Sequence, residues 1–169
     1  ASVEMDGNNY IIVPNGFYLY ILYETPDGWK SKEFDATQFV PANLQSEVDL
    51  DYDLTLARAV SIISSSPNKI EFLMTCGKFP LKVTIENLST NPTISSEWIG
   101  DTDGDGRGLE TDNTIQDAIA AQDGTLWVLS MNHLWNVNSG EQSNELEGDP
   151  EKMQLTGNNM YIRQDSEPQ

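Results

Sequence analysis

The sequence predicts an all-β fold of layered antiparallel sheets with at most one short helix. Three observations carry that expectation. Short apolar runs rich in aromatic and β-branched residues recur along the chain. Turn-forming stretches such as Pro14-Asn15-Gly16 and Pro26-Asp27-Gly28 separate them. Several runs are apolar on both faces, as strands are when both sides of a sheet are covered.

Residues 10–13 form a short apolar run, ended by Pro14-Asn15-Gly16. Residues 17–23 (FYLYILY) carry Phe17, Leu19, Ile21 and Tyr23 on one face and Tyr18, Tyr20 and Leu22 on the other. In Pro26-Asp27-Gly28, Pro presets φ and Gly accepts a positive φ. Strands follow at 59–63, at 70–76 after Pro67-Asn68, and at 81–85, where Leu81, Val83 and Ile85 share a face. Asp123-Gly124 leads into a strand at 126–131, and Asn132-His133 turns it into another at 134–137. Residues 115–122 (IQDAIAAQ) admit two readings. Ile115, Ala118 and Ile119 lie on one face of a helix capped by Asp112 or Asn113; a strand is the other reading. The acidic stretches 45–53 and 141–151 read as surface loops, and 165–169 as a frayed end.

The 169 residues suffice for one good core. With 38% hydrophobic and 9% aromatic residues, the chain is no disordered acidic tail. No run approaches the length of a transmembrane helix. The chain opens on Ala1-Ser2 without an initiator Met or a visible signal peptide. It reads as a processed or trimmed chain, with a removed export signal left open. The net charge of −18 repels phosphate and anionic lipid, so nucleic acid and membrane partners are not expected. Cation binding, a basic partner or plain solubility remain. The single cysteine, Cys76, alternates with apolar residues and has no adjacent His to activate it, so it reads as a buried inert thiol.

The most specific local pattern is the acidic loop 101–112. Asp101, Asp103 and Asp105 occupy its first, third and fifth positions, Gly106 the sixth and Asp112 the twelfth. A hard cation such as Ca2+ takes about six to eight oxygens, and alternate residues of a curling loop aim their carboxylates inward. Gly106 permits the sharp turn, the carbonyl of Arg107 supplies a backbone ligand, and Asp112 closes the sphere. The spacing resembles an EF-hand-type loop, and more closely its dockerin variant with Asp at the last position. It departs from that pattern at the eighth position, where Gly108 stands and apolar Leu109 follows. No apolar helix precedes the loop and no second loop pairs with it. The expectation is a lone calcium loop inserted between strands, competing with a merely solvated acidic turn.

Residues 114–138 resemble one β-propeller blade: an inner strand, an Asp-Gly turn, a strand with Leu126-Trp127-Val128, a tight turn and a strand with Leu134-Trp135. The resemblance implies a strand at 115–122, whereas a calcium loop just before that segment favours the helix. A weaker internal repeat relates residues 5–12 to 155–162 through Gly-Asn-Asn. The resemblance implies about three blades and a fragment, completed by a larger ring, by further chains, or replaced by a sandwich. On this organisation, residues 1–100 hold two sheet units, 101–112 the calcium loop, and 113–169 a third unit and the start of another.

Catalytic signals are weak. His133 lacks a Cys or second His and reads as a surface turn residue. Carboxylate pairs arise by chance among 27 acids, so a glycoside-cleaving site is poorly supported. The segment 104–108 is glycine-rich but too acidic to hold phosphate. Trp127 and Trp135 read as packing residues, and Trp29, after a turn, as the best exposed ligand-binding candidate.

The leading functional expectation is a non-enzymatic, calcium-stabilised structural or binding β module of an extracellular or virion, phage-tail-like assembly. Its expected partner is another protein or copies of itself. The alternative is a secreted glycan-binding module.

Overall fold

The computed structural model describes residues 1–5, 7–47, 59–88, 90–157 and 159–164. Residues 48–53 of the expected loop 45–53, and the expected frayed end at 165–169, lie outside the described residues. The described residues form three four-stranded antiparallel sheets and one hairpin, each built from consecutive strands. The first sheet holds β1 (Ser2–Met5), β2 (Asn8–Asn15), β3 (Tyr18–Thr25) and β4 (Gly28–Asp35). The second holds β5 (Val60–Ser66), β6 (Lys69–Cys76), β7 (Phe79–Glu86) and β8 (Thr93–Trp98). The third holds β9 (Ile115–Ala120), β10 (Leu126–Ser130), β11 (His133–Asn136) and β12 (Glu141–Gln142). The hairpin pairs β13 (Pro150–Thr156) with β14 (Asn159–Gln164).

One four-residue helix, α1 (Ala36–Phe39), follows the first sheet. Asp35 caps it: its carboxylate accepts from Thr37 N at 2.9 Å, and Gln38 Oε1 accepts from Asp35 N at 2.9 Å. No helix among the described residues is long and apolar enough to cross a membrane.

Tight turns fix the register. Ser66 faces Lys69 and Cys76 faces Phe79, so Pro67-Asn68 and Gly77-Lys78 alone make those turns. Gly77 has φ +59°, as the primed turns of short hairpins require. The turn between β10 and β11 is Met131-Asn132, with Met131 at φ +46°. His133 therefore opens a strand opposite Ser130, where the sequence placed it in the turn.

The sheets pack face to face in chain order. Cross-strand partners share a face, so Ile12, Ile21, Leu19 and Phe34 of the first sheet meet Ile70, Phe72, Met74, Leu81 and Val83 of the second. Leu73 points the other way, into a second core with Ile115, Ala118, Val128 and Val137. β6 is thus covered on both sides, and Cys76 is buried in the first core. β5 packs on β1 and β2, β9 on β5 and β6, and β13 on β9 and β10. The first strand of each unit thereby meets the first strand of the unit before it. Among the described residues, no packing of comparable extent joins the hairpin back to the first sheet.

Residues 115–120 are a strand, which resolves the helix–strand ambiguity. Ser130 pairs with Ile115 but Leu129 pairs with Asp117, so Gln116 is bulged out of the ladder. The extra residue puts Ile115 and Ala118 on the same side, both in the second core. A bulge has reproduced the spacing of a helix face.

Candidate metal centre

The residues between β8 and β9 join the second sheet to the third, and their backbone is fastened to both. Leu109 N donates to Ile99 O at 2.8 Å, and the indole Nε1 of Trp98 donates to Leu109 O at 2.8 Å. Thr111 N donates to Lys78 O at 3.0 Å, and the Thr111 hydroxyl to Asn113 O at 2.6 Å. Lys78 Nζ meets Glu110 at 2.6 Å. These contacts tie the loop to the β6–β7 turn on one side, and Ile115 N continues the tie by donating to Gly77 O at 2.9 Å.

Gly108 explains the departure at the eighth loop position. A Cβ there would collide with Cδ1 and Nε1 of Trp98. Leu109 takes the apolar role one residue later and is buried in the second core. The loop has traded an apolar eighth residue for close passage of its backbone under an indole ring.

Asp101, Asp103 and Asp105 converge: one carboxylate oxygen from each lies within 4.8 Å of the others, and all three residues are exposed. Asp101 organises the curl. Its Oδ1 accepts from Gly104 N at 2.7 Å and its Oδ2 from Gly106 N at 3.0 Å. Asp105 Oδ1 accepts from Arg107 N at 2.7 Å. The Gly104 N–H, ahead of the other backbone donors, holds the Asp101 carboxyl below the usual carboxylate range. A lowered folded pKa contributes stability that is present above the unfolded pKa and lost as pH falls through the folded one. Asp101 therefore stays ionised further into acid than an ordinary aspartate.

Arg107 N belongs to this turn, while its guanidinium pairs with Glu47 at 3.0 Å and lies 5.9 Å from the Trp98 ring centroid. Asp112 stands outside the converging group; its Oδ2 accepts from Gln142 Nε2 at 3.2 Å, reaching β12. Asn43 and Glu47, which follow α1, also reach the loop. Asn43 Nδ2 donates to Gly106 O at 3.0 Å. Nothing in the sequence marks those contacts, because they span about sixty residues and use unremarkable polar side chains.

The donor chemistry fits a hard divalent cation. Three carboxylates this close repel unless a cation or protons offset them, and all are oxygen ligands at the edge of solvent. With no His or Cys in the group, the set does not suit a softer metal.

The remaining candidates separate cleanly. Trp29, the second residue of β4, is 50% exposed and borders a shallow depression with Glu4, Asn9 and Ile11. Trp135 packs on the second core. Trp127 is half-buried in a cleft of ≈ 520 Å³ between the third sheet and the hairpin, beside Leu155 and Met160. His133 is half-buried, with Nδ1 3.3 Å from Ser143 O, and no catalytic group adjoins it in that contact.

No family model, no curated protein and no solved structure matches this chain. The functional reading therefore rests on its own residues.

Proposed function

We propose that this chain is a non-enzymatic, calcium-stabilised structural or binding β module of an extracellular or virion assembly, with its sheets serving as propeller-type blades. The observation that carries the reading is the place of the aspartate triad. It sits on the segment between the second and third sheets, whose flanks bond to Trp98, to the β6–β7 turn and to the region after α1. A cation there would stiffen a junction between two sheets. The blade reading is supported by the sequential four-stranded sheets and by the run of first-strand contacts from β1 through β5 and β9 to β13. Asp101, Asp103 and Asp105 would hold the ion; the loop spacing adds Arg107 O and Asp112, of which Asp112 would have to leave Gln142 to join them. The ion would supply only charge neutralisation and a fixed loop shape.

Thermal unfolding in calcium against chelator tests this directly. A ligand that binds only the folded chain adds about 2.7 kcal/mol at a hundred times its Kd. Calcium is expected to raise the melting temperature of the whole chain, while sodium at equal ionic strength leaves it unchanged. Identical curves in calcium and chelator would contradict the reading.

Trp29 favours a second reading, a secreted glycan-binding module. An indole at 50% exposure, beside the polar groups of Asn9 and Glu4, is suited to stack on a sugar ring. A glycan array probed in millimolar calcium is then expected to show binding that Trp29→Ala abolishes. An array without binders removes this alternative.

A further inference from the structure

The four units stack face to face, and that leaves an outward face on the first sheet and another on the hairpin. The register places Ile11, Val13, Tyr18, Tyr20, Leu22 and Trp29 on the side of the first sheet turned away from the second. Val13, Tyr18 and Trp29 are 39%, 41% and 50% exposed, so this face is apolar and, among the described residues, uncovered. An uncovered apolar sheet face of this extent marks an interaction surface.

Charge identifies what fits it. Glu4, Glu24, Glu33 and Asp35 share that face by the same register, and no Lys or Arg does. Two copies meeting through it symmetrically would press eight carboxylates together, which excludes an isologous contact. The outward face of the hairpin has the opposite character. Lys152 pairs with Arg163 across the strands, and Gln154 with Tyr161, which is 56% exposed. Arg163 meets the bulged Glu151 at 3.2 Å and shares its charge with that carboxylate, so Lys152 carries the excess positive charge of this face. In a chain of net charge −18, most encounters between copies are repulsive. The approach that lays Lys152, Tyr161 and Arg163 over the acidic, aromatic first sheet is the attractive one.

We propose that a second copy of this chain docks head to tail, the outward face of its β13–β14 hairpin on the outer face of β1–β4. This continues between chains the stacking that joins successive sheets within one. It rests on the reading of the chain as an assembly module and names the surfaces that module uses. Such a heterologous contact propagates into a ring if its rotation closes, and into a filament if it does not.

Sedimentation velocity on the full chain in calcium, over a concentration series, provides the test. The wild-type protein is expected to associate, less so as salt rises. Two variants block opposite ends: Val13→Lys with Trp29→Lys on the first sheet, and Lys152→Ser with Arg163→Ser on the hairpin, which removes its charge without making it complementary to the lysine-bearing sheet. Val13, Trp29, Lys152 and Arg163 are all exposed, and circular dichroism checks that both variants fold. Each variant alone is expected to be monomeric, and an equimolar mixture to give a heterodimer and nothing larger, because one intact face survives on each partner. Self-association that persists in both variants would overturn the head-to-tail mode and leave the assembly reading standing. Monomeric variants that fail to pair on mixing would likewise overturn the mode alone. A wild-type chain that stays monomeric throughout would overturn both.

Discussion

Replacing Trp98 with alanine is expected to cost about 3–5 kcal/mol, the range for emptying a large aromatic site. Trp98 is 5% exposed at the end of β8. Its ring stands edge-on to Phe79 at 5.4 Å between centroids, and its Nε1 holds Leu109 O at 2.8 Å. Removing it opens a cavity in the first core and strands the Leu109 carbonyl beside the second. It also removes the ring over Gly108, so the loop loses the surface that sets its path. Trp98→Phe separates these effects. It retains most of the ring and forfeits the hydrogen bond, at about 1–3 kcal/mol for an acceptor left unsatisfied in a buried setting. Denaturant unfolding reads both variants. Calcium affinity is expected to fall in Trp98→Phe although no ligand has been touched; unchanged affinity would show that the indole plays no part in shaping the loop.

Phe72→Ala and Leu73→Ala form the second pair. These neighbours on β6 point to opposite sides, Phe72 into the core between the first and second sheets and Leu73 into the core between the second and third. Both are 0% exposed. Each truncation is expected to cost about 2–5 kcal/mol, with Phe72 at the upper end. An ordinary half-solvated strand would show one large and one negligible effect. Hydrogen exchange adds location: Phe72→Ala is expected to loosen β2 and β3 first, Leu73→Ala β9 and β10. A negligible cost at either position would contradict the layered architecture.

The central strands were legible because their apolar residues alternate onto one face, Ile70, Phe72 and Met74 in one and Leu81, Val83 and Ile85 in the other. Residues 70–76 and 81–85 read as strands from that pattern, and β6 and β7 occupy them. The edge strands were not legible. β4 (GWKSKEFD) pairs with β3 only and buries only Phe34, so polar residues fill its pattern, as an edge facing water allows. β8, with two serines and a glutamate, escaped notice for the same reason. Residues 115–120 stayed open between helix and strand for a different reason, since a single bulged residue mimics helical spacing.

At the candidate site, the triad was legible from its alternate spacing, because alternation on a curling backbone is enough to bring Asp101, Asp103 and Asp105 together. The far end of the loop was not. Asp112 is held by Gln142, a contact set by how the third sheet closes on its short last strand. Gly108 was visible as a departure, but its cause, the ring of Trp98, lies ten residues earlier on another element.

Calorimetric titration of calcium into the full chain and into Asp103→Ala is the most direct test of the central claim. Asp103 is exposed, and its Oδ1 accepts from Asp105 N at a long 3.4 Å, whereas the Asp101 turn is held by Gly104 N and Gly106 N, so the Asp103 truncation leaves those two bonds in place. A saturable calcium heat with one ion per chain in the wild type, lost in Asp103→Ala while the fold persists, is the predicted result. Equal binding by the two proteins, or no binding by either, would contradict it.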